Sequence, residues 1–164
     1  MNRMLCWVLV LLLAASVQAD EEPHFSYSPA VGSASGAEST LTGNGRITAV
    51  RVWSGYSSFI FGLQLRFGAI WSQLIGRKVG DFCEMELFEG EAIVQVSGKY
   101  GRFIQQLVFV TSRGRFLMAG QPSYHSFNMY PAHQDAELVF VSTRYRGALT
   151  AFAAHWAVVK EGRW

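Results

Sequence analysis

Three times in this chain, a pair of apolar residues two positions apart is followed by a second such pair. Val50-x-Val52 is answered by Leu63-x-Leu65, Val94-x-Val96 by Leu107-x-Phe109, and Val139-x-Val141 by Phe152-x-Ala154. In each copy the second valine precedes the next arm by 11 positions, and Val52, Val96 and Val141 stand 44 and 45 residues apart. The best-formed copy, Val94 to Val110, reads as strand, glycine-containing turn and strand. β-Branched and aromatic residues fill its arms, and Gly98 and Gly101 suit a tight turn. A fixed period of this size means repeated supersecondary units that bury one core together. Three copies predict approximate threefold symmetry.

The first repeat, from Ile47 to Phe67, points the same way. Phe59, Phe61, Leu63, Leu65 and Phe67 alternate with Ile60, Gly62, Gln64 and Arg66, the period of a strand with one buried face. No stretch of ten or more residues keeps a helical apolar period. About a dozen short strands punctuated by Gly and Pro predict an all-β domain, with about four strands in each of three sheets. Pairing of the chain ends would close the last sheet. Half of the residues are hydrophobic and 16% are charged, enough apolar material for a sizeable core.

Residues 1–19 carry one cation, Arg3, then an apolar run from Met4 to Ala15 and Val17-Gln18-Ala19. This is the pattern of a secretory signal peptide, and the run falls short of the ~20 residues that span a bilayer. The expected product is secreted or held in a granule lumen, with no transmembrane segment. Residues 20–30 read as a loose leader and 31–160 as the domain. Removing Arg3 leaves 13 basic against 12 acidic side chains, a balance that argues against nucleic-acid binding. Cys83 then has no partner within the chain. It reads either as a small buried apolar residue, the favoured option, or as a thiol joining two chains.

Catalytic signatures are missing. His24, His125, His133 and His155 stand at no metal-ligand spacing, and no nucleophile or phosphate-loop motif occurs. Asp81, Glu84, Glu86, Glu89 and Glu91 read as an exposed charged edge rather than an acid/base pair. His155 reads as a satisfied structural histidine. The expectation is a protein that is not an enzyme and uses no metal or cofactor. Composition makes Gly32-Ser33-Ala34-Ser35-Gly36 a flexible connector, although such a loop can also bring backbone N–H groups close to a ligand.

Four blocks carry a resemblance: Ile47 to Val52, Gly62 to Gly68, Val94 to Tyr100 and Leu107 to Thr111, with Phe140 to Trp156 aligning without a gap. Over about residues 27–159 they resemble the animal jacalin-related lectins, and among these the zymogen-granule group. The resemblance implies a β-prism, three four-stranded antiparallel sheets about a pseudo-threefold axis. It also implies non-catalytic binding of glycans, on glycoproteins or proteoglycans, at one end of the prism. The implied loops are Gly32 to Ala37, Lys99 to Arg102, and Arg144 to Thr150. Their candidate binding residues are Gly32, Ser35, Gly36, Lys99, Tyr100, Arg102, Arg144, Tyr145, Arg146, Gly147, Leu149 and Thr150.

Mannose-binding relatives carry Gly-x-x-x-Asp in the third loop, where this chain reads Arg146-Gly147-Ala148-Leu149-Thr150. A threonine hydroxyl lacks the charge that roughly doubles a carboxylate's hydrogen bonds. The cations Lys99, Arg102, Arg144 and Arg146, beside Tyr100 and Tyr145, instead suit sulfated or otherwise anionic glycans. The competing expectation is a secretory structural or protein-interaction module with a degenerate sugar site.

Overall fold

The computed structural model describes residues 24–56 and 59–159. The expected signal peptide lies outside these residues. Thirteen strands and no helix are described. In chain order they are β1 (Phe25–Gly32), β2 (Ala37–Leu41), β3 (Ile47–Ser54), β4 (Ile60–Phe67), β5 (Ile70–Trp71), β6 (Ile75–Gly76) and β7 (Asp81–Glu86), followed by β8 (Ile93–Tyr100), β9 (Ile104–Thr111), β10 (Phe116–Gly120), β11 (His125–Met129), β12 (Ala136–Tyr145) and β13 (Leu149–Val158).

They form three antiparallel sheets, β1-β13-β12-β2, β5-β4-β3-β7 and β10-β9-β8-β11, each built on one of the repeated hairpins. β6 also pairs with β4, so that the edge position of the middle sheet is shared by two short pieces. Between those pieces the Ser72 hydroxyl accepts from the Leu65 N–H, and the Gln64 amide donates to the Ser72 carbonyl. The inner faces meet in a single core that draws Val52, Leu65, Val96, Phe109, Val141 and Phe152 from all three sheets. Each hairpin buries one face and needs the other two to cover it, which is why a threefold prism follows from the repeat.

Several expectations are corrected. The leader read over 20–30 is, from Phe25 onward, strand β1, which pairs with β13 from Phe25↔Ala157 to Gly32↔Ala151. Ser28 receives the indole N–H of Trp156, the largest fully buried side chain, at 3.0 Å. The alternation of β4 breaks where the register shifts between Trp53↔Gly62 and Ser54↔Ile60, which turns Ile60 inward and leaves Phe61 half-buried. The hairpin ends also align differently from the apolar pairs. Ser54↔Ile60, Tyr100↔Ile104 and Tyr145↔Leu149 are the equivalent closing pairs, so the first hairpin carries the longest turn.

The acidic segment is no simple exposed edge. Glu84 pairs with Arg51 and Glu86 with Arg66 across the middle sheet, and the Glu91 side chain is fully buried against Arg115. Cys83 is half-buried against the core and makes no disulfide among the described residues. His155 is satisfied on one side only. Its Nε2 lies 3.0 Å from the Ser142 hydroxyl, while Nδ1 is buried without a partner and burial lowers the ring's pKa.

Candidate functional site

The hairpin turns and the loops that enter the outer strands gather at one end of the prism. The β12–β13 turn lies beside the loop from β1 to β2, since Gly32 pairs with Ala151 and Ala37 with Tyr145. By the same registers the β3–β4 turn lies beside the β6–β7 loop, and the β8–β9 turn beside the β10–β11 loop. The sheets touch at this end. The Phe103 ring stands 4.4 Å from that of Phe59, and Arg77 reaches Tyr145.

The three loops repeat one construction. Gly32, Gly76 and Gly120 recur every 44 residues with φ of 100°, 88° and 89°. At each, a Cβ would fall 2.1 Å from a carbonyl oxygen of the adjoining hairpin, that of Thr150, Phe61 or Gln105. The residue after each glycine donates its N–H to that same carbonyl, from Ser33 at 2.7 Å, Arg77 at 2.8 Å and Gln121 at 2.9 Å. Glycine is required here because the two backbones are in direct contact. Four residues later the pattern gives Gly36, Gly80 and Tyr124, and Tyr124, at φ 72°, is the one non-glycine residue with positive φ among those described. A bulky residue held there costs about 1–3 kcal/mol. This loop period escaped sequence reading, although the Gly32, Gly76 and Gly120 spacing was there to find it.

In the first of these sites, several candidate residues serve the architecture. Leu149 and Thr150 are completely buried, and the Thr150 hydroxyl donates to the Ser35 carbonyl at 2.5 Å. Neither can meet a ligand in this conformation. Threonine's hydroxyl is spent on holding the glycine loop. Arg144 is tied down as well, donating to the Ala34 and Gly36 carbonyls and pairing with Glu38 at 2.9 Å. Gly32 and Gly36 stay exposed, with Ser35 half-buried between them. Arg146 and Gly147 are exposed at the hairpin tip.

Arg77, from the neighbouring sheet, completes this site. Its Nε donates to the Tyr145 hydroxyl at 3.1 Å and its Nη2 to the Gly147 carbonyl at 3.1 Å. The Tyr145 hydroxyl in turn donates to Gly147 at 3.0 Å. A residue distant in sequence thus braces the 146–148 turn. Arg77→Ala is expected to leave global stability within about 1 kcal/mol, since these bonds are exposed. It should also accelerate amide exchange at Arg146, whose N–H bonds Ala148. Unchanged exchange at Arg146 would exclude the brace.

Lys99, Tyr100 and Arg102 sit around the β8–β9 turn, apart from the first site. Lys99 donates to the Ser126 hydroxyl at 2.7 Å, and the half-buried Tyr100 ring packs against His125 at 5.6 Å. Arg102 is exposed. Neither 99–104 nor 120–126 contains a carboxylate. Arg77, Lys78, Arg102 and Arg146 make no ion pair among the described residues, whereas Arg144 does. The end therefore carries uncompensated positive charge from all three repeats. Arg77 and Lys78 escaped sequence reading because their loop becomes part of this end only through the sheet topology.

The Jacalin-like lectin domain family matches residues 28–155. Zymogen granule membrane protein 16 of Rattus norvegicus is 40% identical over 158 residues, covering 93% of this chain and 94% of the relative. The Homo sapiens protein of that name is 40% identical over 160 residues, covering 94% and 95%. Among solved structures, a prostate-specific glycoprotein lectin superposes with a TM-score of 0.73 at 25% identity, covering 82% of this chain and 100% of that one.

Proposed function

This chain belongs to the jacalin-like lectin domain family, and from that premise we propose that it is a secreted or granule-lumen lectin that binds sulfated or otherwise anionic glycans without catalysis. Binding takes place at the loop end, where the exposed Gly32–Gly36 backbone faces the Arg146–Gly147 tip. The observation that carries this reading is the set of cations there that make no ion pair among the described residues, Arg77, Lys78, Arg102 and Arg146, drawn from three sheets. Guanidinium forks match sulfate and carboxylate oxygens, and an end with this charge also draws in polyanions from a distance. Ordinary mannose recognition is disfavoured because Thr150 is buried and bonded to Ser35.

A glycan array run at low and physiological salt tests this. The expected result is signal on sulfated and sialylated chains that falls as salt rises, because the contacts are exposed and screened. Arg146→Ala should weaken it about tenfold, the loss of one charged hydrogen-bond donor. Signal confined to neutral mannosides would overturn the anionic specificity. Silence from folded protein would favour the interaction-module reading, which the closure of the Thr150 position supports.

A further inference from the structure

Strand β1 closes the first sheet from its edge, and three histidines meet around its first half. The His24 ring stacks on that of His133 in the β11–β12 loop, with centroids 4.5 Å apart and planes 16° apart. Backbone ties hold the same segment. The Val158 N–H bonds the His24 carbonyl at 3.1 Å, and the Ala132 N–H bonds the Ser26 hydroxyl at 3.1 Å. The third ring, His155 of β13, is flanked by Phe25 and Tyr27 at 6.1 and 6.3 Å and stacks on Phe140 at 4.0 Å. Pairing of β1 with β13 is interrupted between Ser28 and Val31, which sets this half-strand apart from Gly32 and its loop.

All of these contacts suit neutral imidazoles. The His133 Nδ1 accepts the Asp135 N–H at 3.2 Å, which requires that nitrogen to be unprotonated. His155 has its Nε2 at the Ser142 hydroxyl and its Nδ1 buried without a partner. A cationic ring carries an N–H on both nitrogens, so at His155 one of them would be stranded among aromatic rings. Burial accordingly lowers the His155 pKa. A pKa lowered by folding gives stability that is complete above the ordinary 6.5 and declines as pH falls below it.

Charging both members of the His24–His133 stack sets two like charges face to face. The Asp135 carboxylate, 3.9 Å from the His133 Nδ1, can offset one of the two. Glu137, in line with Phe25 across β13, is held by Arg46. Arg144 and Glu38, the next charges along the face of Ser142, hold each other.

We propose that the first half of β1, from His24 to Ser28, is an acid-released strap: joint protonation of His24, His133 and His155 lifts it from β13. Histidine is the side chain whose charge ordinarily changes between about pH 5 and 8. Release uncovers the edge of β13, and an unpaired edge is a template for a further strand. The device thus ties the pairing capacity of the first sheet to pH, and it stands independently of the glycan-binding reading.

The test is hydrogen exchange of the ¹⁵N-labelled protein at about pH 7.5 and about pH 5, with each rate expressed as protection relative to its intrinsic rate. The reporters are the Val158 amide and the Trp156 indole N–H, which bond His24 and Ser28. The reference is the Gln121 amide in the third sheet, which bonds the Gln105 carbonyl. Protection at the two reporters should fall about tenfold or more in acid, the equivalent of one pKa unit of coupling, and return at neutral pH. Protection at Gln121 should hold. His133→Gln alone should shrink the fall at Val158. His24→Gln and His133→Gln combined with His155→Phe, which keeps the aromatic stack uncharged, should abolish it at both reporters.

Equal protection at the two pH values would overturn the strap. An equal loss at Gln121 would overturn it as well, because the whole domain and not β1 would then be opening. So would an undiminished fall in His133→Gln or in the combined variant.

Discussion

Glu91→Ala is expected to cost about 3 kcal/mol of stability, among the largest single effects in this chain. The carboxylate is fully buried between the β7–β8 loop and β9, and it accepts from four donors: the Phe88 N–H at 2.8 Å, the Thr111 hydroxyl at 2.5 Å and two nitrogens of Arg115 at 3.0 and 2.5 Å. Removing it strands those donors, and breaking a buried pair in this way costs about 3–5 kcal/mol. The lower figure applies because Arg115 keeps a third of its surface in water and can rehydrate.

The same cage has a pH signature. Hydrogen bonds from Arg115, aided by Thr111 and the Phe88 N–H and opposed by burial, hold the Glu91 carboxyl at about 2 against an ordinary 4.5. A pKa depressed in the folded state gives stability that is complete above 4.5 and is lost as pH falls towards 2. Urea melts of wild type and Glu91→Gln should therefore differ most above pH 4.5 and converge below it. Parallel curves from pH 7 to 2 would show that ionisation of Glu91 contributes nothing to folding.

Glu91 also shows where the sequence stops being informative. The hairpins were legible because their signal is local: apolar residues two apart, with glycine between the arms, recur at a near-constant interval. Glu91 sits in an acidic run that reads as a solvated edge, and its burial depends on Arg115, 24 residues away. Strand β1 was hidden for a related reason. Ser26, Ser28, Pro29 and Ala30 have little strand preference of their own, and their conformation comes from pairing with β13 at the other end of the chain.

The candidate site divides along the same line. The three loops could be placed by resemblance, and Arg146 and Arg102 are exposed, as cations at loop tips usually are. The ties of Thr150 to Ser35 and of Arg77 to Tyr145 span 115 and 68 residues, and no local pattern announces them. Tyr124 has an ordinary surface composition around it. Only its backbone angle sets it apart.

Gly32→Ala, Gly76→Ala and Gly120→Ala are expected to cost about 3 kcal/mol each, and the size of that loss decides whether the threefold loop construction is a real lock. Two causes must be separated. A left-handed backbone alone costs a non-glycine residue about 1–2 kcal/mol. Gly90, Gly114 and Gly147, at φ of 72°, 74° and 79°, isolate that part, since a Cβ there meets nothing within 4 Å. At the three loop glycines the methyl group would also stand 2.1 Å from a carbonyl oxygen, so the loop must lift off its hairpin. Lifting breaks the adjoining N–H bond, worth about 1 kcal/mol, and separates packed backbone. Urea unfolding of the six alanine variants should then fall into two groups of three. Within the first group, Gly32→Ala should disturb binding at the Gly32–Gly36 loop directly and Gly76→Ala through the Arg77 brace on Tyr145 and Gly147, whereas Gly120→Ala should leave it intact, because its loop belongs to another sheet and does not touch this site. A single cluster of six values near 1–2 kcal/mol would mean that the loops yield at no cost, and that the backbone facing the Arg146 tip is not held in place by Thr150.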